Sequence, residues 1–166
     1  DNLDVRIDFR ATKGNFPYVV IAYDSTKDNF MKLRTLFPML SPCGFTPEGL
    51  CFEALGKTFL PATTERDVYF VNISDGQPYF CTKGANGFDY SGYDAVTHTK
   101  RQVDNLRKKG ILVSSYYVED GGSWYRERYM EAFKKMYGND SQFINVSNVH
   151  EVAKTMNGKF LQKNAN

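Results

Sequence analysis

The stretch Asp67-Val-Tyr-Phe-Val-Asn-Ile-Ser-Asp-Gly-Gln-Pro-Tyr-Phe80 decides how the chain folds. Val68, Tyr69, Phe70, Val71 and Ile73 form an apolar, β-branched and aromatic run, which predicts a strand covered on both faces. The run stops at Ser74-Asp75-Gly76-Gln77-Pro78. Asp-Gly before a proline is ordinary turn chemistry. A carboxylate at the carboxyl end of a buried strand is also where an open α/β sheet places a ligand.

Immediately upstream, Phe45-Thr46-Pro47-Glu48-Gly49-Leu50 opens a helix. Thr46 suits the N-cap and Pro47 the first helical position. Leu50, Cys51, Ala54, Leu55 and Phe59 are expected on its inner face, and Pro61 ends it. Downstream, residues 76–94 read as a long loop rich in glycine and aromatics, either functional or folded on its own rings. A helix follows from about Tyr93 to Lys109, with Val96, Thr99, Val103 and Leu106 inward and Gly110 as its stop. Lys100, Arg101, Arg107 and Lys108 lie outward, and His98 reads as a surface residue. Ile111–Val118 is a second buried strand ending in Glu119-Asp120-Gly121-Gly122. Ser123 caps a helix carrying Trp124, Tyr125, Tyr129, Phe133 and Met136. A short strand at 142–146 and a helix with Val149, Val152, Ala153, Met156 and Phe160 complete the series.

Before residue 46, Leu3, Val5, Ile7 and Phe9 alternate with polar residues and predict a half-buried strand. Residues 18–23 predict a second strand, joined to the first by a Gly-Asn turn in antiparallel fashion. Lys27–Met39 is expected to hold a short helix with Phe30, Met31, Leu33, Leu36 and Phe37 inward. From residue 46 onward helices and strands alternate, which predicts an α/β fold. Its doubly wound, mostly parallel sheet has one antiparallel edge strand and helices on both faces.

The bulk composition narrows the function classes. With 166 residues, one domain spanning 1–166 is expected. A net charge of +2 is too even to argue for nucleic acid. No apolar run approaches the ~20 residues of a membrane span. Cys43, Cys51 and Cys81 form no CxxC pair, and His98 and His150 are the sole histidines, so a zinc site is not expected. Free thiols in a reducing cytoplasm are the expectation.

In a parallel sheet of this order, strand ends 73–75 and 118–120 share one edge, and the helix beginning at Thr46 starts there too. Thr46 and Asp75 then supply a hydroxyl and a carboxylate, hard oxygen ligands suited to magnesium with waters completing the shell.

These residues carry a resemblance. Gly44-Phe-Thr-Pro-Glu-Gly49 and Ile73-Ser-Asp-Gly76, in this order and context, resemble the threonine and aspartate segments of the von Willebrand factor A domain. Thr-Pro-Glu-Gly-Leu and Ile-Ser-Asp-Gly-Gln-Pro are most similar to the C-terminal domain of cobaltochelatase T-type subunits and their bacterial or phage relatives. The resemblance implies a three-layer α/β/α fold and a metal-ion-dependent adhesion site in which Thr46 and Asp75 hold Mg²⁺ (or Mn²⁺ or Ca²⁺). The family's Asp-x-Ser-x-Ser segment does not occur here; Asp24-Ser25-Thr26 has the wrong spacing. The family's first strand and its helix would precede residue 1, so the domain is expected to lack its N-terminal strand and helix. These would lie in an upstream segment of a precursor or in another chain, and metal occupancy would be low without them.

The implied function is a non-catalytic, metal-dependent protein-binding module. Its partner supplies an acidic side chain, and an AAA+ ATPase of a chelatase-like complex is the implied candidate. Gln77, Tyr79, Phe80, Asp120 and Trp124 are the expected partner contacts. Two alternatives stand beside it. One is a Mg²⁺-dependent phosphoryl-transfer or hydrolytic enzyme using Asp24 or Asp75. Against it, the chain has no Walker-type glycine loop and no nucleophile–histidine pair. The other is a structural, virion-associated protein with a degenerate metal site. A cytoplasmic location is expected, or a virion-associated one if the protein is phage-encoded.

Overall fold

The computed structural model describes residues 21–36, 46–58, 67–81, 87–119, 126–138 and 141–145, with Lys154 and Gly158. The element order is α1 (Phe30–Leu36), α2 (Glu48–Thr58), β1 (Val68–Ser74), β2 (Phe80–Cys81), β3 (Asp89–Tyr90), α3 (Gly92–Lys108), β4 (Ile111–Glu119), α4 (Arg126–Tyr137) and β5 (Ser141–Asn145). The protein is α/β. β1, β4 and β5 form a parallel three-stranded sheet in that order, and β2 pairs with β3 in a separate antiparallel ribbon.

Parallel pairing requires a crossover, and α3 and α4 supply the two. Val68 lies opposite Ile111, and Ser115 opposite Ser141. Both crossovers step the same way across the sheet, so right-handed connections put α3 and α4 on one face. α2 joins them there by packing along α3. The core fills that side: Phe52 from α2, Val96, Val103 and Leu106 from α3, Ile111, Val113 and Tyr117 from β4, and Phe133, Met136 and Tyr137 from α4. Phe52 meets Phe70 of β1 edge-on, with ring centroids 5.2 Å apart.

Helix α3 follows its sequence pattern closely. Val96, Thr99, Val103 and Leu106 are buried, Lys100, Arg101 and Lys108 are exposed, and Gly110 adopts φ +80° just after the helix. The polar Thr99 is tolerated in the core because its hydroxyl donates to the Ala95 carbonyl at 2.8 Å. In α4, Phe133 and Met136 are buried as their spacing predicts. Lys154 and Gly158, within the expected last helix, are helical.

Several expectations are corrected. β1 is not covered on both faces. Its Val68 and Phe70 pack on the core, whereas Tyr69 is 38% and Ile73 60% exposed. Among the described residues α2, α3 and α4 all lie on the Phe70 face. In α2, Ala54 is exposed and Phe52, outside the expected stripe, is buried. In α1, Phe30 and Met31 point out, at 66% and 56% exposure. Of the expected strand at 18–23, the described part, 21–23, is not a strand, and Ile21 is 54% exposed. The expected strand at 3–11 lies outside the described residues. The loop 76–94 is partly regular, because β2 and β3 lie within it and bury Phe80 and Tyr90 beside Ala95.

Candidate functional site

The site forms where α2 begins and β1 ends. The first α2 hydrogen bond runs from the Cys51 N–H to the Pro47 carbonyl, so Pro47 rather than Thr46 occupies the cap position. The shift of one residue leaves Thr46 outside the helix, exposed, with its hydroxyl free of capping. The Thr46 carbonyl accepts the Tyr79 N–H at 3.1 Å. This bond ties the segment before α2 to the segment after β1, so Thr46 and the Ser74–Pro78 turn belong to one edge of the sheet. Asp75 is exposed on that turn. Neither the Thr46 hydroxyl nor the Asp75 carboxylate has a hydrogen-bond or ion-pair partner among the described residues.

Two glycines allow the close approach. Gly76 sits at φ +92°, and a Cβ there would enter the ring of Tyr117, 2.5 Å from Cδ2. Gly49 faces α3, where a Cβ would lie 2.7 Å from His98 Nδ1 and 2.9 Å from Thr99 Oγ1. Both demand glycine, the first by conformation and space, the second by space alone.

Beneath the exposed pair lies a buried polar network that sequence reasoning missed. Glu48 is 3% exposed. Its carboxylate accepts the Tyr137 hydroxyl at 3.0 Å and the Asn72 amide at 3.5 Å. Asn72 Nδ2 donates to the Tyr137 oxygen at 2.9 Å, and the Gly76 N–H donates to Ser74 Oγ at 2.9 Å. Burial raises the Glu48 carboxyl above the usual carboxylate range. The polar side chains of Ser74, Tyr137 and Asn72 beside it oppose that shift and the nearby Asp75 charge adds to it. Tyr137 is pushed far up, first by burial and then by the Glu48 charge. One sequence signal pointed here: Asn72 and Ser74 fall on the same side of β1 as Val68 and Phe70, so polar groups enter the covered face of an apolar strand.

A second cluster corrects the reading of His98. Only 16% of its side chain is exposed. Its Nδ1 lies 2.9 Å from the Tyr90 hydroxyl, and its Nε2 lies 3.1 Å from Gln102 Nε2 and 3.5 Å from Glu53 Oε2. Burial lowers its pKa, helped by the neighbouring Arg101 charge. The histidine joins α3 to α2 and to β3.

Of the expected partner contacts, Gln77 is exposed and Tyr79 half-buried, while Phe80 is 6% exposed and belongs to the small core of β2 and β3. Asp120 and Trp124 lie outside the described residues. Gln77 also edges a cleft of about 210 Å³ lined by Tyr93, Val96, Arg128, Tyr129 and Lys135. Asp24 is already engaged. Its carboxylate accepts the Thr26 hydroxyl at 2.6 Å and pairs with Lys27 at 3.0 Å, which holds it down at about 2. It shapes the turn before α1.

The oxygens at this edge suit a hard divalent cation. Thr46 and Asp75 offer a hydroxyl and a carboxylate without other partners among the described residues, and Mg²⁺ bound by few protein ligands keeps several waters. No group of three or more His, Cys, Asp or Glu side chains that could hold a metal occurs among the described residues. No described helix is long and apolar enough to cross a membrane. No family model matches the chain, and neither curated proteins nor solved structures give a match.

Proposed function

We propose that the protein is a divalent-cation-dependent protein-binding module of the von Willebrand factor A type, with Thr46 and Asp75 holding Mg²⁺ or Mn²⁺. The observation that carries this reading is the pair Thr46 and Asp75, both exposed and without side-chain partners among the described residues, on two segments joined by the Tyr79–Thr46 backbone bond. On this reading the parallel sheet is the centre of a doubly wound, three-layer fold. The cation supplies an open coordination position for an acidic side chain of a protein partner. Gln77, exposed beside Asp75, then meets the partner at the rim. By the similarity of Thr-Pro-Glu-Gly-Leu and Ile-Ser-Asp-Gly-Gln-Pro to chelatase T-type subunits, the partner is an AAA+ ATPase.

Calorimetric titration of Mg²⁺ and Mn²⁺ into the whole chain tests the reading. Asp75→Ala is expected to weaken binding by tenfold or more, on the order of 1.4 kcal/mol. Thr46→Ala is expected to weaken it less, because a neutral hydroxyl is lost rather than a charge. Affinity unchanged by Asp75→Ala refutes the assignment.

A further inference from the structure

The cleft of about 210 Å³ beside Gln77 lies between α3 and α4 and plays no part in holding a cation. Val96 and Ala132 give it apolar surface, and Arg128 and Lys135 give it positive charge. Lys135 lies over the ring of Tyr93, with Nζ 4.1 Å from the centroid. Tyr93 is 70% exposed, more than any other large apolar side chain among the described residues. Arg128 is exposed and makes no hydrogen bond or ion pair among the described residues. It is the third residue of α4, where the positive end of the helix disfavours a cation. Glu131 stands three positions from Arg128 and four from Lys135, the spacing at which ion pairs form on a helix. Among the described residues it pairs with neither, and with Glu131 on the rim the cleft still keeps one net positive charge.

We propose that this cleft receives a second acidic side chain, next to an apolar one, from the same partner segment whose first acid reaches the cation at Asp75. The proposal rests on the metal reading of Asp75 and gives the partner its chemistry. Charge complementarity selects an acid, and the apolar surface of Val96 and Ala132 selects its neighbour. The volume is smaller than the roughly 300–1,000 Å³ of a small-molecule pocket and suits one or two side chains of a peptide. Gln77 both edges the cleft and follows Asp75 by two residues, so their backbones are at most about 7 Å apart. An extended segment advances about 3.3 Å per residue, so two acids spaced roughly two to four residues apart reach both places.

The test uses the whole chain and synthetic peptides, followed by the backbone amide shifts of Tyr93 and Ala132. Without metal, N-acetyl-Phe-Glu-amide is expected to shift both signals saturably, and N-acetyl-Phe-Gln-amide to bind about fivefold more weakly. The preference for the acid disappears when Arg128→Ala and Lys135→Ala are combined, two exposed changes that leave the core intact. With Mg²⁺, the longer peptide Gly-Asp-Gly-Phe-Glu-Gly is expected to bind at least about tenfold more tightly than the dipeptide, because its second contact is intramolecular. Asp75→Ala removes that gain. Equal binding of the two dipeptides, or an acid preference that survives the double variant, overturns the role of the cleft and leaves the metal reading standing. An acid preference without a Mg²⁺-dependent gain, in a chain that binds Mg²⁺ through Asp75, overturns the shared segment. Mg²⁺ affinity untouched by Asp75→Ala removes the metal reading and the two-point docking together.

Discussion

Gly76→Ala probes the strand-end turn directly. The substitution asks an alanine to adopt φ +92° and places its methyl inside the ring of Tyr117. The backbone part costs about 1–2 kcal/mol, the usual penalty for a left-handed residue bearing a Cβ. The steric part follows from where Tyr117 sits. It is 3% exposed, lies opposite Ser74 in the β1–β4 ladder, and meets Phe133 with ring centroids 5.5 Å apart. The ring has no open side to swing into, so overpacking adds about 1–3 kcal/mol. The sum, about 2–5 kcal/mol, is a large share of the 5–15 kcal/mol that a domain typically has. Urea unfolding followed by circular dichroism reads it as a fall in midpoint at constant slope. Repeating the substitution in a Tyr117→Leu background separates the parts. There the ring is gone and the cost is expected to fall to about 1–2 kcal/mol, the conformational part alone. An alanine variant within about 0.5 kcal/mol of wild type, or an equal cost in both backgrounds, refutes the close approach of Gly76 to Tyr117.

Three further outcomes are expected. Tyr137→Phe keeps the ring against Phe133, 4.5 Å away between centroids, but removes the donor to Glu48 and the acceptor for Asn72. It should cost about 1–3 kcal/mol in urea unfolding, and a cost below 0.5 kcal/mol would deny the buried carboxylate its dependence on that hydroxyl. His98 has its folded pKa below the ordinary 6.5, so the unfolded chain takes up the proton first. Its contribution is present above pH 6.5 and is lost as pH falls through the folded value. The stability of wild type should therefore drop more steeply than that of His98→Gln between pH 7 and 5, and parallel curves would contradict the linkage. Ser115 Oγ is buried without a partner among the described residues. Ser115→Ala should leave the melting temperature unchanged or raise it, by up to about 1 kcal/mol in stability, and a loss above that would mean the hydroxyl is bonded.

Much of the sheet was legible because its signals are local. The apolar runs at 68–73 and 111–118, the stripe Val96–Leu106 and the stop at Gly110 each announce an element by period and composition. The strand-end position of Asp75 followed from them. The stripe of α2 was misread because its buried side includes Glu48 and Gly49, residues that carry no hydrophobic signal. Gly49 is buried to let α2 approach Tyr90 and His98, and Glu48 to accept hydrogen bonds, and neither purpose registers in periodicity. The polar network stayed hidden for a related reason. Its bonds join residues 24, 65 and 89 positions apart, so no window of sequence contains both ends. His98 looked like a surface residue because it sits beside exposed lysine and arginine on α3. Its burial comes from β3 and α2, which meet it only in three dimensions.

The pairing of β1 with β4 has a consequence for how the chain is made. During synthesis β1 leaves the ribosome well before its ladder partner, since all of α3 must follow it first. Phe70 finds Phe52 early, because α2 has already emerged, but the edge that will receive Ile111–Tyr117 stays open until that strand arrives. The nascent chain thus carries an apolar strand with an unpaired edge through the translation of some forty residues, the interval in which holding chaperones have most to protect. Slowing translation across α3 would lengthen that exposure, and speeding it would shorten it, with no change in the finished protein.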